Sequence, residues 1–418
     1  MNQHRTPRPY VAAPTALCVL FAAVLSACGG GEGAASLGVD SLASDGSMAQ
    51  IQAAGGNGKG RAKDSSTAPT PAPAPATAPA PAPAPAPLPE PTPSPAPAPA
   101  PAPAPTTSSF LPYIDTSKIA APAVGATTFN VAPTTELAPA ADGAFRTTCT
   151  VAKMGFDDPI VFPGQAGKSH LHTFFGNTGV NADSTADSLR NSGGSTCRGG
   201  IANRSAYWVP TMIDTKDGTP LAPDGMGVYY KASYDVPAAL TQPIPAGLRM
   251  IAGDPNAAAP HPAVFSMRYK CVGGPNNSND SYGPAIPNCD VGAQVWSEIF
   301  FPQCWDGVNL DSPDHKSHMS YVVQDQSPPY AKHCPSTHPI AIPAITFNVM
   351  YTVKQLNAPL KWRLSSDNYD PALPGGYSSH ADWFNGWDND VSIAWAKNCV
   401  QNLKDCHSHL LGDGRRIF

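Results

Sequence analysis

Ten of the eleven histidines lie in the C-terminal three-fifths of this chain, most of them in short clusters: His170-Leu171-His172, His315 with His318, His333 with His338, His380-Ala381-Asp382 and His407-Ser408-His409. Imidazole is the side chain that serves as metal ligand, general base or cation near neutral pH, so its clustering marks a site. His170 and His172 sit two apart, which puts both rings on one face if the segment is extended. That arrangement suits a two-point metal platform or an acid/base pair, and equally a hydrogen-bonded pair that orders a loop. His380 and Asp382 repeat the spacing.

Between these clusters, Cys304-Trp305-Asp306-Gly307 is followed by Asp314-His315-Lys316-Ser317-His318-Met319-Ser320-Tyr321. Asp306 and Asp314 are candidates to orient an imidazole, bind a metal or act as acid and base, although Asp before Gly is also a common turn signature. The catalytic candidates are therefore His170, His172, Asp306, Asp314, His318, His380 and Asp382. Of these, His170, His172, His318 and His380 form the candidate metal set, and His with Asp ligands suits a zinc or copper ion. The segment from His380 to Asp388 also holds Trp383, Asn385 and Trp387, whose indoles either stack on sugar rings or fill the core. With Trp305 and Tyr321 they make up the candidate substrate-binding residues.

After Glu136 the only glutamate is Glu298, so a glycosidase built on two glutamates is excluded. Glu298 lies in an apolar run, where it is either a general acid of raised pKa or a rim residue. No G-x-S-x-G elbow, H-E-x-x-H helix, P-loop or Gly-rich dinucleotide turn is present, which argues against serine-hydrolase, zincin and nucleotide-dependent chemistry.

Several spaced motifs, in one order, resemble the DUF1996 family, a secreted domain of unknown function found in fungi and some bacteria. They are H-L-H-x-F-F-G-N at His170 to Asn177, Cys304-Trp305-Asp306-Gly307, Asp314-x-x-Ser317-His318-Met319-x-Tyr321, Cys334-Pro335 with His338, and G-x-x-x-H-x-D-W-x-N-G-W from Gly376 to Trp387. The likeness covers about Phe156 to Cys399. It implies a secreted habit and no particular reaction.

The elements that must position these residues read as strands: Ala206 to Ile213, Gly227 to Val236, Val264 to Cys271, Val295 to Phe301, His318 to Val323 and Ala344 to Val353. One helix is expected from about Asp390 to Leu403, capped by Asp390, with Val391, Ala394, Trp395 and Asn398 on one face. Cys149, Cys197, Cys271, Cys289, Cys304, Cys334, Cys399 and Cys406 are even in number and contain no C-x-x-C, so four disulfides are the default, Cys399 with Cys406 among the plausible pairs. The expected fold is mainly β: a disulfide-stapled antiparallel β-sandwich or β-rich α+β domain with long loops and a C-terminal helix.

Upstream, Arg5 and Arg8 precede a short apolar run ending in Leu25-Ser26-Ala27-Cys28. This resembles a bacterial lipobox, with residues 1–28 as signal and Cys28 as lipid anchor, and Gly29 leans sorting towards the outer membrane. Residues 29–67 read as a polar tether and 68–109 as an Ala/Pro stalk, whose polyproline II geometry extends about 3.1 Å per residue and thus on the order of 120 Å. Residues 110–418 then form one domain. The net charge is −5 and no Lys/Arg run occurs, which argues against a nucleic-acid partner. The expected protein is an exported lipoprotein, at the outer membrane or cell surface, that acts on a polysaccharide or cell-wall glycan by hydrolysis or elimination. The alternatives are a non-catalytic carbohydrate-binding or adhesion lipoprotein and a metal-binding surface lipoprotein.

Overall fold

Ile345, Phe347, Val349 and Tyr351 alternate with Thr346, Asn348 and Met350, and this period of two decides the architecture. A computed structural model describes residues 109–418 apart from 233–234, 261–265, 275–280 and 330. The expected signal segment and lipid-anchor Cys28, the expected tether and nearly all of the expected stalk lie outside the described residues.

In chain order, the strands that matter here are β1 (Ala144–Cys149), β2 (Val151–Gly155), β3 (His172–Gly176), β4 (Ala206–Pro210), β5 (Gly225–Lys231) and β6 (Arg249–Gly253). Then come β7 (Met267–Val272), β8 (Gln294–Phe300), β9 (Ala344–Thr352), β10 (His380–Phe384) and β11 (Asp405–Cys406). They form a six-stranded sheet of order β7-β8-β9-β5-β1-β11 and a five-stranded sheet of order β2-β3-β4-β10-β6. All pairings within both sheets are antiparallel except β1 with β11.

One face of each sheet enters a shared core. Phe347 of the larger sheet meets Tyr207 of the smaller with ring centroids 5.5 Å apart, and Tyr230 meets Trp383 at 6.3 Å. The opposite face of the five-stranded sheet is also buried, because the chain between β2 and β3 and the short helix Ala186–Asn191 cover it. Ile160, Val180 and Leu189 pack there on Phe174, Trp208, Ile251 and Phe384. A sheet covered on both faces accepts polar groups only where chemistry or hydrogen bonding accounts for them.

Four disulfides close the structure, Cys149–Cys197, Cys271–Cys289, Cys304–Cys334 and Cys399–Cys406, the last as expected. The fold is thus mainly β with long loops. Three local expectations change. The run Ala206 to Ile213 breaks at Thr211, after which Met212–Asp214 joins a separate three-stranded sheet. His318 to Val323 yields only the two-residue strands Met319–Ser320 and Val323–Gln324. The C-terminal helix Asn389–Trp395 is capped by Asp388, whose carboxylate accepts the Val391 amide, and not by Asp390; it runs on into a π-type turn, Ala396–Gln401.

Candidate metal centre

The covered face of the five-stranded sheet holds the histidines. His172 on β3 is in register with Pro210 on β4, and Asp382 on β10 with Trp208, so His380 stands across Pro210 from His172. Strands two apart in a sheet are separated by about 10 Å. The two rings close that gap by leaning over the small Pro210. Their Nε2 atoms come within 3.5 Å of each other, and His170 Nε2 lies 3.1 Å from His380 Nε2.

Backbone carbonyls set the tautomers. His172 Nδ1 is 3.0 Å from the Asp157 carbonyl and His380 Nδ1 is 2.9 Å from the Ser378 carbonyl. A carbonyl only accepts, so both Nδ1 atoms carry the proton and donate it. Both Nε2 atoms therefore turn bare lone pairs towards the same point whenever the rings are neutral. Burial makes them neutral: it pushes His172 down to about 4 and, with His172 adding to it, His380 down to about 3. Burial and the two neighbouring rings hold His170 far below the usual imidazole range.

Two carboxylates complete the cluster. One ligand atom each of Asp158, His172 and Asp382 lies within 4.8 Å of the others, as do those of His170, His172 and His380. Asp158 Oδ1 accepts the amides of Ile160 and Val161, both at 2.9 Å. Asp382 Oδ2 is buried with no partner. Burial, reinforced by Asp158, drives the Asp382 carboxyl well above its ordinary pKa, and burial raises Asp158 as well.

These groups fit a cation. Ligands about 2.0–2.1 Å from one zinc ion in a tetrahedral array are separated by roughly 3.3 Å, a value bracketed by the two N···N distances. The Nδ1–H bonds to carbonyls are the orienting contacts that metal-bound histidines use. Lone pairs facing each other at 3.5 Å are relieved by a positive charge between them, or by an N–H from His170 Nε2, 3.1 Å from His380 Nε2, and the orphaned Asp382 oxygen suits the same cation.

The cluster reaches solvent through His170, which is only partly buried. Beside it, the exposed Lys316 donates from Nζ to the Gly253 carbonyl at 3.0 Å, and its charge bears on His380 and Asp382. Gly253 pairs with His380 in left-handed conformation, where a Cβ would strike Met267, the Ser379 carbonyl and His380 itself. Only glycine lets β6 pass so close.

Other expected site residues prove structural. His318 is buried, with Nε2 on the Arg249 carbonyl at 2.7 Å and Nδ1 on Ser312 Oγ at 2.9 Å. Arg249 is four residues along β6 from the partner of His380, about 13 Å of strand, so His318 leaves the metal set. Asp314 accepts from Ser312, Lys316 and Ser317, which closes the turn that carries Lys316 and lowers its pKa. Asp306 accepts the Val308 and Asn309 amides, the turn role that Asp-Gly suggested.

The sugar-stacking role fails for both tryptophans near His380: Trp383 and Trp387 are 0% and 1% exposed, and Trp387 Nε1 donates to Tyr230. Asn385 is buried in a turn, bonded to the Pro245 carbonyl and the Trp387 amide. Trp305 is partly buried against the core with Nε1 on the Asn309 carbonyl. Tyr321 stays 43% exposed on a groove of about 500 Å3 with Phe300 and Val323, which no residue of the histidine cluster lines. Glu298 lies on β8 of the other sheet, paired with Arg268 at 2.6 Å, and takes no part in this centre.

Residues 158–387, more than half of the chain, match the family described as Domain of unknown function (DUF1996). The chain belongs to the DUF1996 family. No curated protein and no solved structure matches it. All five cluster residues lie within the DUF1996 segment, whose first residue is Asp158. Sequence reasoning overlooked Asp158 and Lys316. The signal for Asp158 was a carboxylate leading straight into Pro159-Ile160-Val161-Phe162, an apolar run that buries whatever it carries. No pattern pointed to Lys316, which a folded turn brings to the cluster.

Proposed function

We propose that this DUF1996 protein is a metal-assisted enzyme that cleaves an extracellular or cell-wall polysaccharide, by hydrolysis or elimination, with a zinc or copper ion held by His170, His172 and His380. The observation that carries the metal is the pair of carbonyl-fixed imidazoles whose bare Nε2 atoms meet at 3.5 Å. The polymer is drawn from the expected export signal and long stalk, which suit a domain that works on material outside the cell. When bound, such an ion polarises an oxygen of the substrate or lowers the pKa of coordinated water to about 7.

The chain's own part follows from its geometry. Asp157 and Ser378 carbonyls hold two ring planes in place, so little reorganisation accompanies binding. Asp382, buried beside the triad with its pKa raised by burial and by Asp158, is placed to give a proton to a leaving oxygen or, once ionised, to take one. Lys316 offers a positive charge at the rim. A glycan-binding role without catalysis would draw on exposed aromatics beside the cluster, which Trp383 and Trp387 do not supply.

Elemental analysis of the purified chain, with a polysaccharide panel assayed with and without chelator, tests the reading. Stoichiometric metal, chelator-sensitive cleavage and loss of turnover in Asp382→Asn with metal retained are expected. Full cleavage by metal-free protein would overturn it. Bound metal with no cleaved polymer would leave a metal-binding protein in its place.

A further inference from the structure

Just past β10, Gly386 lies directly against Arg204, where a Cβ would strike the Arg204 carbonyl and the Ser205 amide. Only glycine lets the two segments meet. Arg204 N then donates to the Gly386 carbonyl at 3.2 Å and Asp388 N to the Ala202 carbonyl at 2.9 Å, which zips 386–388 onto 202–204. A second seam runs nearby: Ile201 N donates to the Thr128 carbonyl and Asn130 N to the Gly199 carbonyl, both at 3.0 Å, and Phe129 bridges to Gly200. With these seams stands an open pocket of about 410 Å3, lined by Phe129, Arg190, Arg204, Asp388, Asn389 and Asp390 among others. Backbone pairing fixes its walls.

Most of the polar groups in those walls keep hydrogen-bonding capacity to spare. Arg204 is locked by Nε on the Gly193 carbonyl at 2.9 Å and Nη1 on the Arg190 carbonyl at 2.7 Å, which leaves Nη2 open. The Arg190 guanidinium and the Asn389 side-chain amide have no hydrogen-bond partner among the described residues. Asp388 uses Oδ1 on the Val391 amide and keeps Oδ2. Asp390 is exposed, and with Asp388 it bears on Arg415, which Asp413 already pairs at 2.7 Å. Phe129 is 49% exposed where Trp387 is 1%, so the phenyl ring is the aromatic surface the pocket offers.

Charge and hydrogen bonding together select a class of ligand. Arg190, Arg204 and Arg415 stand against Asp388, Asp390 and Asp413, so a ligand of either net charge meets repulsion from one half of the set. The ligand that fits is uncharged. Guanidinium and amide nitrogens donate while carboxylate and amide oxygens accept, which matches groups that do both, as hydroxyls do. Hydroxyls on adjacent carbons suit the two-pronged ends of Arg, Asp and Asn, and the C–H face of a sugar ring suits the phenyl. The volume lies within the range of small-molecule sites.

We propose that this pocket binds an uncharged sugar unit of a glycan, its C–H face on Phe129 and its hydroxyls on Arg190, Asn389 and Asp390. Gly386 is six positions from His380, so the pocket's edge lies within about 20 Å of the histidine centre. Arg190 belongs to the short helix that covers the histidine face of the sheet. The pocket thus extends the polysaccharide reading with a separate holding site that needs no metal.

The test is calorimetric titration of the full chain with four neutral hexasaccharides, cello-, malto-, manno- and chitohexaose, and with triglycine as a zwitterion. At least one hexasaccharide binds, and added salt leaves its affinity unmoved because no charge is neutralised. Phe129→Ala, Arg190→Gln and Asp390→Asn each weaken it by about tenfold or more. Melting temperature stays the same, since none of the three side chains is buried. His380→Ala and chelator leave the affinity intact. Binding of none of the four, or affinity that Phe129→Ala and Asp390→Asn both leave unchanged, overturns the proposal, and tighter binding of triglycine does so by assigning the pocket to a zwitterion. Binding lost in His380→Ala but kept in every pocket variant also overturns it, moving the glycan to the histidine centre and leaving the enzymatic reading standing. Pocket binding with no cleavage of any polymer sinks the enzymatic reading alone.

Discussion

His172 and His380 stand on strands two apart, yet their Nε2 atoms meet 3.5 Å from each other above Pro210, each ring pinned by a carbonyl at its far nitrogen. A pair so fixed has its binding geometry before any ion arrives. Metal affinity is then not reduced by ring ordering.

Removing the metal should therefore lower stability without unfolding the protein. With free zinc at about a thousand times its Kd, linkage adds about 4 kcal/mol, or roughly 10 °C in melting temperature for a domain of this size. Calorimetric scans with zinc and with chelator give the difference. His380→Ala should abolish it, and a zinc shift that persists in that variant would place the ion elsewhere.

His318→Ala separates the two kinds of histidine. It strips a buried donor–acceptor pair from Arg249 and Ser312, at a cost of about 2–4 kcal/mol, because both partners stay buried. Metal content should be unaltered. Loss of metal from a variant that remains folded would return His318 to the ligand set.

Trp383→Ala should act as a core deletion, destabilising by about 3–5 kcal/mol. Its ring packs on Tyr230 with no surface exposed. Urea denaturation measures the cost. A variant of unchanged stability with impaired glycan binding would restore the sugar-stacking role.

His409 reports on acid stability away from the metal centre. Burial pushes its pKa down to about 4 from an ordinary 6.5, while its Nδ1–H bond to the Arg146 carbonyl resists that fall. Between those values the unfolded chain takes up a proton that the folded one refuses, so stability is complete above pH 6.5 and declines as pH falls towards 4. The full span is on the order of 3 kcal/mol. His409→Asn, which tolerates the left-handed backbone at this position, should flatten the decline by about one proton. An unchanged slope in urea midpoints across that range would assign the acid transition to other groups.

Much of the frame was legible because it is written in local pattern. The alternation in Ile345 to Val353 places β9, and the even set of cysteines anticipates four bridges. The spacing of His170 with His172 and of His380 with Asp382 put both pairs in the cluster. The same reasoning misassigned His318, Asp314 and Asp306. A short polar residue in a turn has the same local sequence whether its oxygen holds a neighbouring amide or a ligand.

By itself, then, the order of residues determined the mainly β class, the family and which imidazoles share a strand face, since each depends on neighbours a few positions apart. The tertiary structure alone decided that 208 positions of chain close so that His172 meets His380, that Asp158 joins them, and that Trp383 and Trp387 turn inward. Strand order and register set those encounters. They arise from the packing of two whole sheets, which no short stretch of sequence encodes.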